Sequence, residues 1–188
     1  ILDCGALSCS IAGIKVANAN ALQTSVIGGN IQSCGTGILV TSGSCPVIQG
    51  VGFQENTVYD IGVDNTVGDS YAISGCRTES VNFARIQNGA GVFITACTQL
   101  NVSAGHFCFI EGGGGNFPGS ATVGSCYSQN GDIIGNGLLY LRGNHFGDTT
   151  PLGSFTGTVM EWDAVINIAV GSLPAAATIY QGLRGFVT

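Results

Sequence analysis

The feature that most limits how this chain can fold is a recurring triplet: an apolar residue, any residue, then a small one, followed by a polar stretch. It occurs at Leu7-Ser-Cys9, Ile27-Gly-Gly29, Ile48-Gln-Gly50, Ile73-Ser-Gly75, Ile94-Thr-Ala96, Val123-Gly-Ser125 and Leu141-Arg-Gly143. Successive copies begin 20, 21, 25, 21, 29 and 18 residues apart, and a period near 21 with loop-sized excursions is that of a solenoid coil. Helical solenoids require amphipathic stretches of about ten residues or more at a 3.6-residue period. Here the apolar runs are short, β-branched and broken by Gly, Asn and Ser, which favours strands. The expectation is an all-β, right-handed parallel β-helix, a solenoid of about seven coils, whose handedness follows the rule for parallel crossovers. Leu7, Ile27, Ile48, Ile73, Ile94, Val123 and Leu141 then face inward as one column, and the small column from Cys9 to Gly143 marks a bend. The helix is expected over residues 1–148. A terminal coil and exit strand over 149–188 would lead to a further C-terminal region.

Composition narrows the partners. Only 9% of residues are charged and the net charge is −6. Lys15 is the single lysine, with Arg77, Arg85, Arg142 and Arg184 scattered, so there is no basic stripe for a phosphate backbone and nucleic acid is excluded as a partner. No apolar run reaches the ~18 residues of a membrane span, and the start, Ile1-Leu-Asp-Cys, has no basic region of a signal peptide. Without an initiator Met, the chain reads as a segment of a longer one. A surface of Ser, Thr, Asn, Gln and Gly suits neutral polar partners.

Eight cysteines invite a disulfide framework. Cys76, Cys97 and Cys126, however, recur at one position of the repeat, and no CxxC pair occurs. Free buried thiols are therefore expected ahead of disulfides, with a metal site a distant third. No cofactor is indicated. The longer coils suggest projecting loops at Val58–Ser70, with Asp60, Asp64 and Asp69, and at Glu111–Ser120, with its Gly-rich run and Phe117-Pro118.

Two residues past the small column come Arg77, Thr98, Tyr127 and His145, and two further on come Gln54, Glu79 and Gln129. Shared parity would put them on one outward strip. Such a strip is either an ordinary solvated face or a sugar-binding surface in which Tyr127 stacks on a ring while Arg77, Glu79 and Gln129 bond hydroxyls. Glycoside hydrolysis needs two carboxyl groups about 5–5.5 Å or about 6.5–9.5 Å apart. Glu55 and Glu79 are the nearest candidates, but their offsets differ by one residue and alternation would point them to opposite sides unless a bulge intervenes. His145 is a candidate acid or base. Trp162, the single tryptophan, suits a core or subunit interface as well as a ligand.

The coil around Tyr71-Ala-Ile-Ser-Gly-Cys-Arg-Thr-Glu-Ser80 resembles coils of the pectate-lyase-like β-helix superfamily. The segment Leu173-Pro-Ala-Ala-Ala-Thr-Ile-Tyr-Gln-Gly-Leu-Arg-Gly-Phe-Val-Thr188 resembles the stretch that follows the β-helix in many bacteriophage and prophage tail proteins. The resemblance implies a homotrimeric tail fibre or tailspike of the virion tail, acting outside the cell on bacterial surface polysaccharide and in some members cleaving it. Gly105-His106 lacks the acids that surround the Gly-His motif of the polygalacturonase branch, and Asp60, Asp64 and Asp69 lack the spacing of the calcium-dependent lyases. The alternatives are a polysaccharide depolymerase and a structural shaft or adhesin stalk.

Overall fold

Short apolar runs with alternating burial form parallel strands that repeat on three faces of a β-solenoid. The computed structural model describes residues 1, 3–21, 23–43, 45, 47–64, 70–87, 91–100, 103, 105–111, 120–147, 152, 154–168 and 186–187, with the backbone alone for 70, 160–168 and 186–187. The first face stacks Ser25–Ile27, Val47–Gln49, Ser70–Ser74, Gly91–Thr95, Ser120–Gly124 and the first part of Leu138–Phe146. The second stacks Gly5–Leu7, Asn30–Gln32, Gly52–Gln54, Arg77–Thr78, Thr98–Gln99, Tyr127–Ser128 and the last part of Leu138–Phe146. Ala12–Ala17, Thr36–Ser42, Tyr59–Asp64, Ala84–Gln87, Gly105–Glu111 and Gly131–Gly135 make the third. Every strand pairing among the described residues is parallel.

Seven strands stack on the second face and six on each of the other two, so the solenoid has about five complete turns, slightly fewer than the seven coils expected. Two copies of the triplet lie off the column that the repeat implies. Ile48, Ile73, Ile94, Val123 and Leu141 are register partners and fully buried, but the column continues upstream through Val26. Ile27, one residue later, pairs with Gln49 and faces out. Leu7 pairs with Gln32 on the second face and is 68% exposed. With a side-chain period of two, a slip of one residue moves a side chain from core to solvent.

What joins the first and second faces is a corner at Asp3, Gly28, Gly50, Gly75, Ala96, Ser125 and Gly143, all with φ between 45° and 68°. Left-handed backbone costs a residue with a Cβ about 1–2 kcal/mol, which is why the position favours small residues. The small column of the sequence is this corner, with Gly28 and Asp3 in place of Gly29 and Cys9.

Just inside the corner stand Cys76, Cys97 and Cys126, buried, followed by Asn144. Each thiol lies near carbonyls of its own and the preceding coil, as Cys126 Sγ does to Gly124 O at 3.3 Å and Ile94 O at 3.6 Å. No disulfide joins the eight cysteines. Hydrogen bonding with Cys126 and Cys76, and then burial, push the Cys97 thiol well up, while burial raises Cys45 to about 11; such thiols are poor nucleophiles. An aromatic ladder, Phe53, Phe83, Phe107 and Phe146, crosses the core with ring centroids 6.4, 5.3 and 5.9 Å apart.

Within the expected loop at Val58–Ser70 the described residues are mostly strand, and 65–69 lie outside the described residues. Tyr59–Asp64 belongs to the third face, and Asp60 is completely buried at the position that Phe83 and Phe107 occupy in the next coils. Its carboxylate is tolerated because Asn56 Nδ2 donates to it at 2.8 Å and the Thr78 hydroxyl donates to its other oxygen. Asp69 lies outside the described residues, as do 112–119 of the second expected loop, whereas Glu111 ends a third-face strand. Thr158–Ile168 pairs with Leu138–Phe146, and Phe186–Val187 pairs with Asn167 and Ile168. The Trp162 side chain and the rest of 169–188 lie outside the described residues.

Candidate functional site

On a parallel stack each residue sits ~4.8 Å from its partner in the next coil, so outward side chains at equal offsets form rows along the solenoid axis. On the second face one row runs Asn30, Gly52, Arg77, Thr98, Tyr127 and His145, all register partners. The strip expected from the sequence is thus one contiguous row. Arg77, Tyr127 and His145 are exposed and Thr98 is half-buried. Tyr127 and His145 face each other as rings, with centroids 5.4 Å apart at 54°.

A second row, two residues further along each strand, contains Gln32 and Gln54 as partners. Backbone bonds from Glu79 N–H to Phe53 O, from Leu100 N–H to Thr78 O and from Gln129 N–H to Gln99 O bring Glu79, exposed Leu100 and Gln129 into the same line. Arg77 Nη2 donates to Glu79 Oε1 at 2.7 Å, an ion pair linking the rows. Gly52 interrupts the first row between Asn30 and Arg77. The result is a depression of about 210 Å³ lined by Asn30, Gly52, Phe53, Gln54, Arg77 and Glu79.

Glu55 does not point away from Glu79's face. Its φ of 54° turns the chain through a second left-handed corner shared with Ser8 and Ser33, which resets the alternation that parity alone implied. Its carboxylate accepts from Gln32 Nε2 at 3.4 Å and Ser33 Oγ at 3.3 Å. Both glutamates are exposed, each with its own partner.

A further concentration of functional groups escaped the sequence reasoning, on the outside of the third face. Arg85 lies over the rings of Tyr59 and Phe109, 5.9 and 5.6 Å from their centroids. Its Nη2 donates to Glu111 Oε2 at 2.8 Å, and Gln87 Nε2 donates to the same oxygen. The Arg85 Nε is buried with no hydrogen-bond partner. Burial pushes the Tyr59 phenol above its ordinary value, against the opposing charge of Arg85. One coil further, His106 Nδ1 meets Asp132 Oδ1 at 2.6 Å. The His106 backbone is held on both sides, N–H to Asn82 Oδ1 at 3.1 Å and C=O from Phe83 N–H at 2.8 Å. An irregularity between His106 and Cys108 breaks the period there; the signal in the sequence was only that Gly105-His106 and Gly131-Asp132 occupy equivalent positions.

Among the described residues no group of three or more His, Cys, Asp or Glu is arranged to hold a metal ion, and no helix is long and apolar enough to cross a membrane. No family model matches the chain, and neither a curated protein nor a solved structure matches it.

Proposed function

We propose that the outward second face is a glycan-recognition surface. The observation that carries this reading is the unbroken axial row Arg77, Thr98, Tyr127 and His145, flanked by Glu79 and Gln129. Sugars are bound by ring faces that meet apolar C–H surfaces and by planar polar groups that bond hydroxyls, and the row offers both at rung spacing. Tyr127→Ala should weaken binding of the host polysaccharide by about 0.5–1.5 kcal/mol through lost ring contact, with only a small fall in melting temperature because the ring lies on the outward face against His145 rather than in the core. Unchanged binding together with unchanged stability would reduce the row to a solvated surface.

The setting proposed for this surface is a trimeric phage or prophage tail fibre or tailspike engaging bacterial surface polysaccharide, as the coil and exit segments suggest. Support for self-association comes from the first face, where exposed Phe93 and Tyr140 lie in one outward row with Ala72 and Thr122. Sedimentation at micromolar concentration should report a trimer; a monomer at every concentration would remove that part.

A second reading, a depolymerase, is favoured by one observation, the His106–Asp132 pair. A carboxylate on Nδ1 orients an imidazole and leaves Nε2 for proton transfer. His106→Ala should then abolish release of reducing ends or unsaturated uronates from capsule while binding persists. No release by the wild-type chain would leave recognition alone.

A further inference from the structure

Resting on the glycan reading of the second face, the charge and shape of that face also limit which glycan it takes. Arg77 and Glu79 neutralise each other at 2.7 Å. The other members are Asn30, Gly52, Thr98, Tyr127 and His145 in the first row and Gln32, Gln54, Leu100, Gln129 and Gly147 in the second, with no Asp, Glu, Lys or Arg among them, and Glu55 stands at the edge with its carboxylate exposed. A sugar bearing a carboxylate or phosphate would meet two carboxylates and a guanidinium already engaged. A neutral sugar would find amides, a hydroxyl and the exposed Arg77 guanidinium, all able to bond vicinal hydroxyls.

The row also has two distinct ends. At one, Gly52 leaves the depression of about 210 Å³; at the other stand the Tyr127 and His145 rings. From the Gly52 rung to the His145 rung is four steps, ~19 Å. Gly52 is not at a left-handed corner, so its backbone accepts other residues. A Cβ built on it would come within 2.9 Å of Asn30 Oδ1, the end of an exposed side chain that can turn aside. The absent side chain is therefore not required by the backbone, and what it leaves is room.

We infer that the second face binds an uncharged linear oligosaccharide along the solenoid axis, one unit seated in the Gly52 notch against Arg77 and Glu79 and another on the Tyr127–His145 pair. The notch is a specificity-determining subsite, reached only by chains long enough to span both ends.

The test uses an immobilised panel of neutral and uronate-bearing bacterial polysaccharides, followed by graded fragments, two to six residues long, of the tightest-bound member. The expected result is that a neutral member binds best and that raising salt from 0.05 to 0.5 M changes its affinity less than twofold. Gly52→Val should lower the affinity of fragments of four or more residues at least tenfold and leave di- and trisaccharides unchanged, whereas Tyr127→Ala should weaken every length. Gly52→Ala, with a matching melting curve, guards against a folding defect and should show an intermediate loss. A best ligand that is acidic and salt-sensitive, or full long-fragment affinity in Gly52→Val alongside a weakened Tyr127→Ala, overturns this inference and leaves the glycan reading standing. Binding of no member, or binding indifferent to Tyr127→Ala, removes the glycan reading itself.

Discussion

On the first face the inward row runs Val26, Ile48, Ile73, Ile94, Val123 and Leu141, whereas on the second, one corner away, it runs Ile31, Phe53, Thr78, Gln99, Ser128 and Phe146. Both rows are buried. The first stabilises by removing apolar area from water, about 25 cal/mol per Å², and any aliphatic residue of similar size serves. In the middle of the second row each polar group has a dedicated partner. Gln99 takes a bond from the Ser128 hydroxyl at 2.8 Å and donates to Val81 O at 2.9 Å, and Ser128 Oγ accepts from Gly131 N–H at 2.8 Å. Thr78 donates to Asp60 and accepts from Ser80 N–H at 2.9 Å. Such bonds add little net stability, about 0.5–1.5 kcal/mol each, but are costly to leave unmade. They tie the second face to the turn into the third. Of these two walls the first stabilises more through apolar burial, and the second adds positional specificity beneath the outward row.

The sharpest way to break this contrast is to truncate the apolar wall. Ile94→Ala should cost about 2–5 kcal/mol in denaturant unfolding, since Ile94 is fully buried between Ile73 and Val123. A loss below 1 kcal/mol would mean the wall does not carry stability as argued.

The polar wall should reveal itself through pH. Burial raises the Asp60 carboxyl from 3.8 to about 6, against the opposing hydrogen bonds of Thr78, Asn56 and Ser80. An acid whose folded pKa is raised adds stability that is fully present below the unfolded value, near 4, and lost as pH rises through about 6. A difference of this size corresponds to about 3 kcal/mol at most. Melting scans should therefore show this contribution growing from pH 7 down to pH 4 in the wild type and missing in Asp60→Asn. The same pH slope in both proteins would show that Asp60 is not the group responsible.

The corner between the walls should give a smaller effect. Gly75, at φ 60°, has open space where a Cβ would stand, so Gly75→Ala should cost only the left-handed strain, about 1 kcal/mol, as Ala96 already bears in the next coil. A much larger loss by calorimetry would point to a packing role for the glycine. Smallest of all is the outside of the second wall. Arg77→Ala removes an exposed ion pair and should change stability by about 0.2–1 kcal/mol, vanishing in high salt. A large drop in melting temperature would show that this row serves the fold rather than a ligand.

The strip of Arg77, Thr98, Tyr127 and His145 was legible because a short second-face strand follows the corner at a constant offset in every coil. Glu79 and Gln129 keep that offset too. The third-face patch of Tyr59, Arg85, Glu111, His106 and Asp132 was not, because the chain takes a variable path between the second and third faces. In the Asp60, Phe83 and Phe107 coils an extra residue there shifts parity, so spacing in sequence no longer reports which way a side chain points. The extra length of its coil suggests a loop around Asp60, whereas the residue lies in the core, where only the partners assembled from Asn56 and Thr78 make its burial possible.

The sequence by itself determined that the chain is a parallel β-solenoid, since a 21-residue period of single apolar and single small positions has few other ways to bury its apolar side chains. It also determined the outward row of the second face and the unpaired state of the cysteine column. Tertiary structure decided the rest: the start of the apolar column at Val26, the five turns, the interior place of Asp60, and the meeting of His106 with Asp132 and Arg85 with Glu111 across coils. The periodic pattern is local and repeats in every coil. Those contacts join residues 18 to 26 positions apart, and their register is set by corners and bulges whose backbone geometry residue type alone does not encode.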